Sequence, residues 1–281
     1  AAWRAIVESN IISGAAVDRV PLTKFPGFGV QLPALDVQRR ITSVLSAYDD
    51  LIENNRRRIQ LLEQAARLLY KEWFVHLRFP GHEHVKIKGG VPEGWEKVLL
   101  SEMCMDIRKS VNPSDLPPDA PYIGLEHIPR RSITLNEWGK ACEVDSNKFK
   151  FAEGDILFGK IRPYFHKVGF TLIDGIASSD AIVIRPIETH LYYYVLFLLS
   201  SDEFVTLASK TVREGSKMPR ADWRFLLKSE FRRPSAILLE LFSETVKPIS
   251  RQLRNLALHN QQLAHARDLL LPRLMNGEVV A

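Results

Sequence analysis

Residues 41–74, ITSVLSAYDDLIENNRRRIQLLEQAARLLYKEWF, decide the architecture. Alternating steps of four and three residues from Ile41 pick out Leu45, Tyr48, Ile52, Asn55, Ile59, Leu62, Ala66, Leu69 and Trp73. Nearly all are apolar, and this spacing brings them to one stripe of a helix, the a and d positions of a coiled coil. The same steps near the other end give Phe242, Val246, Ile249, Leu253, Leu256, Asn260, Leu263, Arg267, Leu270 and Leu274, a stripe interrupted by Asn260 and Arg267. At 1.5 Å per residue, a helix of about 40 residues makes a rod roughly 60 Å long.

The stripes belong to two copies of one unit. Gly14-Ala-Ala-Val-Asp-Arg19 and Gly215-Ser-Lys-Met-Pro-Arg220 both read Gly-x-x-apolar-x-Arg, 201 residues apart. The same shift carries Pro33 onto Pro234, Asn54 onto Asn255, Leu62 onto Leu263, Ala65 onto Ala266 and Leu69 onto Leu270, without a gap. Each copy is a glycine turn, a short extended segment, a proline and a long helix. Two ordinary amphipathic helices on a globular core would show similar stripes. A domain-length insertion between matching copies favours a rod. Antiparallel pairing sets Ile41 against Leu274 and Leu45 against Leu270, and it brings Asn55 to Asn260, a paired asparagine that fixes register at some cost in stability. Arg267 then falls opposite Tyr48, where a guanidinium can stack on the ring. Pro248 lies inside the second stripe and should kink or interrupt that helix.

The expected organisation is a domain tail over 1–32, a first long helix over 33–76, a linker over 77–90, a globular domain over 91–233, a second long helix over 234–276 and a tail over 277–281. The globular domain opens at Val91-Pro-Glu-Gly-Trp95. Short β-type runs at Tyr122–Leu125, Asp155–Phe158, Lys167–Leu172 and Ala181–Ile184, and helices over His190–Leu199 and Ser201–Thr211, make it α+β. The fold class is therefore α+β, a globular domain plus two long helices forming an antiparallel coiled-coil rod.

Composition narrows the function classes. Charged residues are 25% and hydrophobic residues 46% of the 281, an ordinary globular balance. The net charge of +5 suits a nucleic-acid partner without demanding one. Cys104 and Cys142 stand far apart without a CxxC pattern, which argues against a disulfide framework or a cysteine zinc site and fits a reducing cytoplasm. No apolar run reaches the roughly 18 residues of a membrane span, and no signal-peptide pattern opens the chain. Because the first residue is Ala1, the natural chain is expected to begin upstream.

Basic residues concentrate in two places. Between Lys210 and Arg233 lie Lys210, Arg213, Lys217, Arg220, Arg224, Lys228, Arg232 and Arg233, opposed by Glu214, Asp222 and Glu230. Lys160, Arg162 and Lys167 are interleaved with Tyr164, Phe165 and His166. Basic and aromatic residues in loops suit phosphate and base-edge contacts, although a solvated basic face gives the same pattern. The candidate DNA contacts are Lys160, Arg162, Tyr164, Ser178, Ser179, Lys217 and Arg220, with Asp180 equally able to cap a turn. No catalytic or metal set is assigned. Gly27-Phe-Gly29 lacks the strand-to-helix context of a cofactor loop, and Gly159-Lys160 lacks the upstream glycine of a Walker loop. Asn112-Pro-Ser-Asp has no aromatic to stack a flipped base. Asp174 and Asp180 lack a nuclease triplet, and His82-Glu-His84 reads as a solvated pair.

Taken in order, several segments resemble the specificity subunits of type I restriction-modification systems. Pro92-Glu-Gly-Trp95 resembles a recognition-domain opening. Phe151-Ala-Glu-Gly-Asp155 through Arg162, Ala177-Ser-Ser-Asp180 and Gly215 through Arg220 resemble its later segments. Asn54 through Phe74 and Ala266 through Glu278 resemble the two helices. The resemblance covers essentially the whole chain, but only about 32 residues precede Pro33 where the family pattern places a complete first recognition domain. It implies a non-catalytic subunit of a DNA methylation and restriction complex. That subunit reads one half of a bipartite site in double-stranded DNA and uses its helices as a ruler. It also implies methyltransferase subunits, which hold S-adenosylmethionine, and translocase/nuclease restriction subunits as partners. This chain itself would bind no cofactor. A self-dimer could replace the missing domain symmetrically. The competing reading is a coiled-coil interaction adaptor without sequence-specific DNA binding.

Overall fold

The computed structural model describes residues 2–12, 18–29, 32–212, 217–276 and 278–279. Gly14 and Gly215, which open the two copies, lie outside the described residues, as do Arg213 and Glu214. The helices are α1 (Ala2–Ser9), α2 (Leu35–Tyr70), α3 (Tyr192–Leu199), α4 (Asp202–Lys210), α5 (Trp223–Leu227) and α6 (Ala236–Met275). The strands are β1 (Ile87–Lys88), β2 (Val91–Pro92), β3 (Glu96–Leu99), β4 (Cys104–Ile107), β5 (Ser110–Val111), β6 (Pro121–Ile123) and β7 (Thr134–Leu135). They continue with β8 (Gly139–Lys140), β9 (Lys148–Phe151), β10 (Ile156–Gly159), β11 (Val168–Thr171), β12 (Gly175–Ala177), β13 (Ala181–Pro186) and β14 (Glu230–Arg233). The repeat is visible in the elements. Helices α2 and α6 start 201 residues apart, and a 3-10 turn at Leu22–Gly27 precedes α2 as α5 precedes α6.

Two compact units form: Ile52–Gln262, and Ala1–Leu51 with Leu263–Ala281. Compactness divides the chain differently from the expected segments: the larger unit holds parts of both long helices, the 77–90 segment and the 91–233 domain together. Nor is 77–90 a plain linker: Phe79 is buried, and β1 pairs with β2 as a hairpin that crosses the expected boundary at 91.

In the larger unit two five-stranded sheets carry the domain, ordered β4-β13-β10-β11-β7 and β5-β9-β12-β6-β8. Strand β10 is buried throughout, as a central strand covered on both faces must be. Its side chains alternate: Ile156 and Phe158 join the main core, while Leu157 joins a second core with Ile123, Ala177 and Val183. Gly169 allows β11 to lie against the parallel β7, because a Cβ there would stand 2.5 Å from the Ile133 carbonyl oxygen. The apolar run of α3 is buried and packs against β11 and β13 of the first sheet. The Ser201 hydroxyl caps α4 by accepting from the Phe204 N–H, with Asp202 and Glu203 favourably placed in the first turn.

Within this unit α2 and α6 run antiparallel. Tyr70 and Trp73 meet Phe242 at 6.5 and 5.7 Å between ring centroids, and Asn55 meets Asn260. The helical path of α2 ends in a π turn, Lys71–Val75, whose wider winding lets the consecutive Trp73 and Phe74 both be buried. They pack with Tyr194, Trp95 and Phe242, so this aromatic surface is used inside the chain. Pro248 does not interrupt α6, which continues from Ala236 to Met275. The proline is exposed while Val246 and Leu253 are buried, so seam packing holds the helix across the missing N–H.

In the smaller unit Ile12 bridges Arg19, and the Arg267 guanidinium binds Asp49 at 2.5 Å and Asp268 at 2.8 Å. The expected stacking on Tyr48 is thus replaced by an ion pair with its neighbour, since a carboxylate binds a guanidinium more strongly than a ring face does.

Candidate nucleic-acid interface

Three segments distant in sequence meet at the end of β10. The Lys160 N–H donates to the Asp180 carbonyl at 3.0 Å, and the Ala221 N–H to the Lys160 carbonyl at 2.8 Å. The Arg162 N–H donates to the Pro219 carbonyl at 2.8 Å, and Ile161 bridges Arg220 antiparallel. These bonds hold 160–162, 178–180 and 219–221 side by side. Their side chains converge on one carboxylate: Asp180 Oδ1 lies 3.7 Å from Lys160 Nζ and 3.2 Å from the Arg220 guanidinium. Lys160 also donates to the Ser179 carbonyl at 2.6 Å. These partly exposed pairs gather two cations around one carboxylate. Asp180 is therefore the shared counter-ion of Lys160 and Arg220. Of the two serines, Ser178 is partly consumed by structure. Its hydroxyl accepts from the Asp180 N–H, and its own N–H donates to Ile123. Ser179 is exposed, as are Lys217 and Met218 just before the bridge.

Arg162 and Tyr164 sit on a tight loop. Arg162 and His166 adopt φ of 49° and 52° around a 3-10 turn at Pro163–Phe165. Left-handed backbone at two non-glycine residues costs on the order of 1–3 kcal/mol each and persists only where the surroundings enforce it. Here they do. Pro163 is buried, and the Arg130 guanidinium lies 3.9 Å above the Phe165 ring. The Arg131 N–H donates to the His166 carbonyl at 3.0 Å. The loop holds Arg162 and Tyr164 outward, with Tyr164 half exposed. His166 is buried, and its Nε2 lies 3.2 Å from the Arg131 guanidinium, which can only donate. Burial, then the Arg131 charge, holds this imidazole below its ordinary pKa.

Two further residues matter that the sequence reading missed. Glu63, on α2, is buried, and its Oε1 accepts from the Ser132 hydroxyl (2.8 Å), the Ile133 N–H (3.1 Å), the Thr134 N–H (3.0 Å) and the Thr134 hydroxyl (2.7 Å). Arg67, one turn on, donates to the Ser200 and Arg131 carbonyls. Together they fasten α2 to the globular domain. Neither breaks the heptad pattern, so nothing in the sequence marks them. Asp155 supports the site from behind: it takes a bidentate contact from Arg185 at 2.8 and 2.9 Å, and Gly154 makes the preceding turn at φ 87°. The buried Asn55 donates to Asn260 Oδ1 at 2.9 Å, and Asn260 donates to the Ile52 carbonyl at 3.2 Å.

Among the described residues no group of three or more His, Cys, Asp or Glu is placed to hold a metal. No single described helix is long and apolar enough to cross a membrane. No family model matches the chain. Curated relatives do. The specificity subunit of type I restriction enzyme MjaIX from Methanocaldococcus jannaschii is 26% identical over 271 residues, covering 89% of this chain and 60% of that protein. The MjaVIII specificity subunit of the same organism is 23% identical over 284 residues, covering 95% and 65%. The chain is a homologue of type I restriction specificity subunits. A specificity subunit is a non-catalytic component, in keeping with the reading of this chain as not an enzyme. The crystal structure of the type I restriction-modification S subunit from M. genitalium shares the fold of this specificity-subunit homologue, with a TM-score of 0.54 at 15% identity over 97% of this chain and 69% of that one. The chain thus spans about 60–65% of the length of the two curated relatives described.

Proposed function

We propose that this chain binds double-stranded DNA and reads one half of a bipartite site through the surface built by Lys160, Arg162, Tyr164, Ser179, Lys217 and Arg220. The observation that carries the reading is the convergence of three separate segments, 160–162, 178–180 and 219–221, on Asp180, beside a strained loop that presents an arginine and a tyrosine. Arginine presented this way can take a guanine edge bidentately, and the lysines reach phosphates. In this reading the antiparallel helices set the distance to a second half-site, with Asn55 and Asn260 holding their register. The chain would dock methyltransferase subunits, which hold the S-adenosylmethionine, and through them meet restriction subunits in the cytoplasm. Leu61 and Leu68, exposed on α2, supply apolar surface for such docking. A second copy of the chain could supply the other half-site.

Binding-site selection from random duplex DNA, with the methyltransferase partner present and near-physiological salt, tests the reading. Enrichment of one short motif is expected from a single recognition domain, and two motifs at fixed spacing from a dimer. Arg162→Ala should relax one position of the motif by about 1–3 kcal/mol of discrimination. An intact complex that enriches nothing would overturn the proposal in favour of an adaptor.

A further inference from the structure

A cleft of about 890 Å³ opens between α2 and the globular domain. On the helix side its lining includes Arg56, Gln60, Gln64 and Arg67 on α2 and Lys71 in the π turn, at steps of four, four, three and four that put all five on one face, beside the apolar Ile59 and Tyr70. Each of the five side chains offers N–H donors. Across the cleft stand Arg130 and Arg131. The acids nearby are already engaged or set to one end. Glu63 is buried under its four donors, Asp202 pairs with Arg131 and, at 3.9 Å, with Lys71, and Glu203 follows it. The cleft is continuous with the loop that presents Arg162 and Tyr164, because Arg130 stacks on Phe165 and Arg131 holds His166.

We propose that this donor-lined face of α2 is a second DNA-contacting surface, which takes the phosphate backbone of the duplex next to the base-reading loop. The inference rests on the DNA-binding reading above. It makes the first long helix a backbone contact as well as a spacer. Phosphates spaced along a strand suit such a row of charges and amides better than a single compact anion would. Arg56 and Lys71 are the exposed ends of the row, with side chains 65% and 52% exposed and only long, solvent-facing ion pairs to Glu53 (3.7 Å) and Asp202 (3.9 Å), whereas Arg67 is committed to backbone carbonyls.

The test uses the full chain and two duplexes, one with the selected motif and one unrelated. Affinity is measured across a salt series for the wild type, for Arg56→Gln/Lys71→Gln, and for Lys247→Gln/Arg251→Gln on α6, outside the cleft, as a net-charge control. Loss of two phosphate contacts should lower the slope of log K against log salt by about 1.8 and weaken binding to both duplexes roughly 10- to 100-fold at 0.1 M salt. The enriched motif and the thermal melt should not change. A cleft variant with the wild-type slope, or one no flatter than Lys247→Gln/Arg251→Gln, overturns the inference while the DNA reading stands. A change in the enriched motif also overturns it, since phosphate contacts carry no sequence. A wild-type chain that enriches no motif fails the DNA reading itself, and the inference falls with it.

Discussion

Glu63 is a single buried oxygen on which four hydrogen bonds meet, two of them from backbone amides that cannot move without breaking the sheet edge at β7. Glu63→Ala orphans those donors, and each unsatisfied buried donor costs about 1–3 kcal/mol. A loss of at least ~3 kcal/mol is expected in urea unfolding, against ~1 kcal/mol for Glu63→Gln, which keeps an acceptor oxygen. Equal losses for both would mean that the carboxylate's hydrogen bonds are not what fastens α2. His166 makes a different kind of prediction. Its folded pKa lies below its unfolded value, so between the two the unfolded chain binds more protons. Stability is then complete above the unfolded pKa of about 6.5 and declines as pH falls through that value toward the folded one. His166→Asn should remove that part of the pH dependence of the melting temperature between about pH 5 and 7. An unchanged profile in the variant would show that the imidazole is not its source.

At the scale of elements, the α2–α6 seam trades stability for register. Asn55 and Asn260 satisfy each other inside an otherwise apolar stripe. Asn260→Leu alone strands the Asn55 amide and should cost about 1–3 kcal/mol. Asn55→Leu/Asn260→Leu should recover that loss or exceed it, because the paired polar layer is a specificity device and not a source of stability. A double-mutant cycle by thermal unfolding measures the coupling directly, and additive losses would refute it. The stripe also explains why Pro248 is tolerated. Val246 and Leu253 on either side of it are buried in the seam, so the helix is held by packing where one backbone bond is missing. At the other end, the π turn gives up regular winding in order to bury Trp73 and Phe74 together.

Across the whole molecule, the two copies found in the sequence reappear as matching orders of elements ahead of α2 and α6, while the compact units cut across both helices. Repeats mark how a chain is built up, whereas compactness follows burial, and the aromatic layer from Tyr70 to Phe74 draws the helices into the core of the globular domain. For this reason the sequence-based domain limits do not coincide with the units that pack together. The pairing of Asn55 with Asn260, the α+β class and strands β6, β10, β11 and β13 could be reached from residue order alone, because hydrophobic period and turn residues are local signals. Tertiary structure alone decided that Asp180 gathers Lys160 and Arg220, that Glu63 anchors α2, that Arg267 chooses Asp49 over Tyr48, and that a donor-lined cleft runs beside the reading loop. Those contacts join residues tens to hundreds apart through single hydrogen bonds and charges, which leave no period in the sequence to be read.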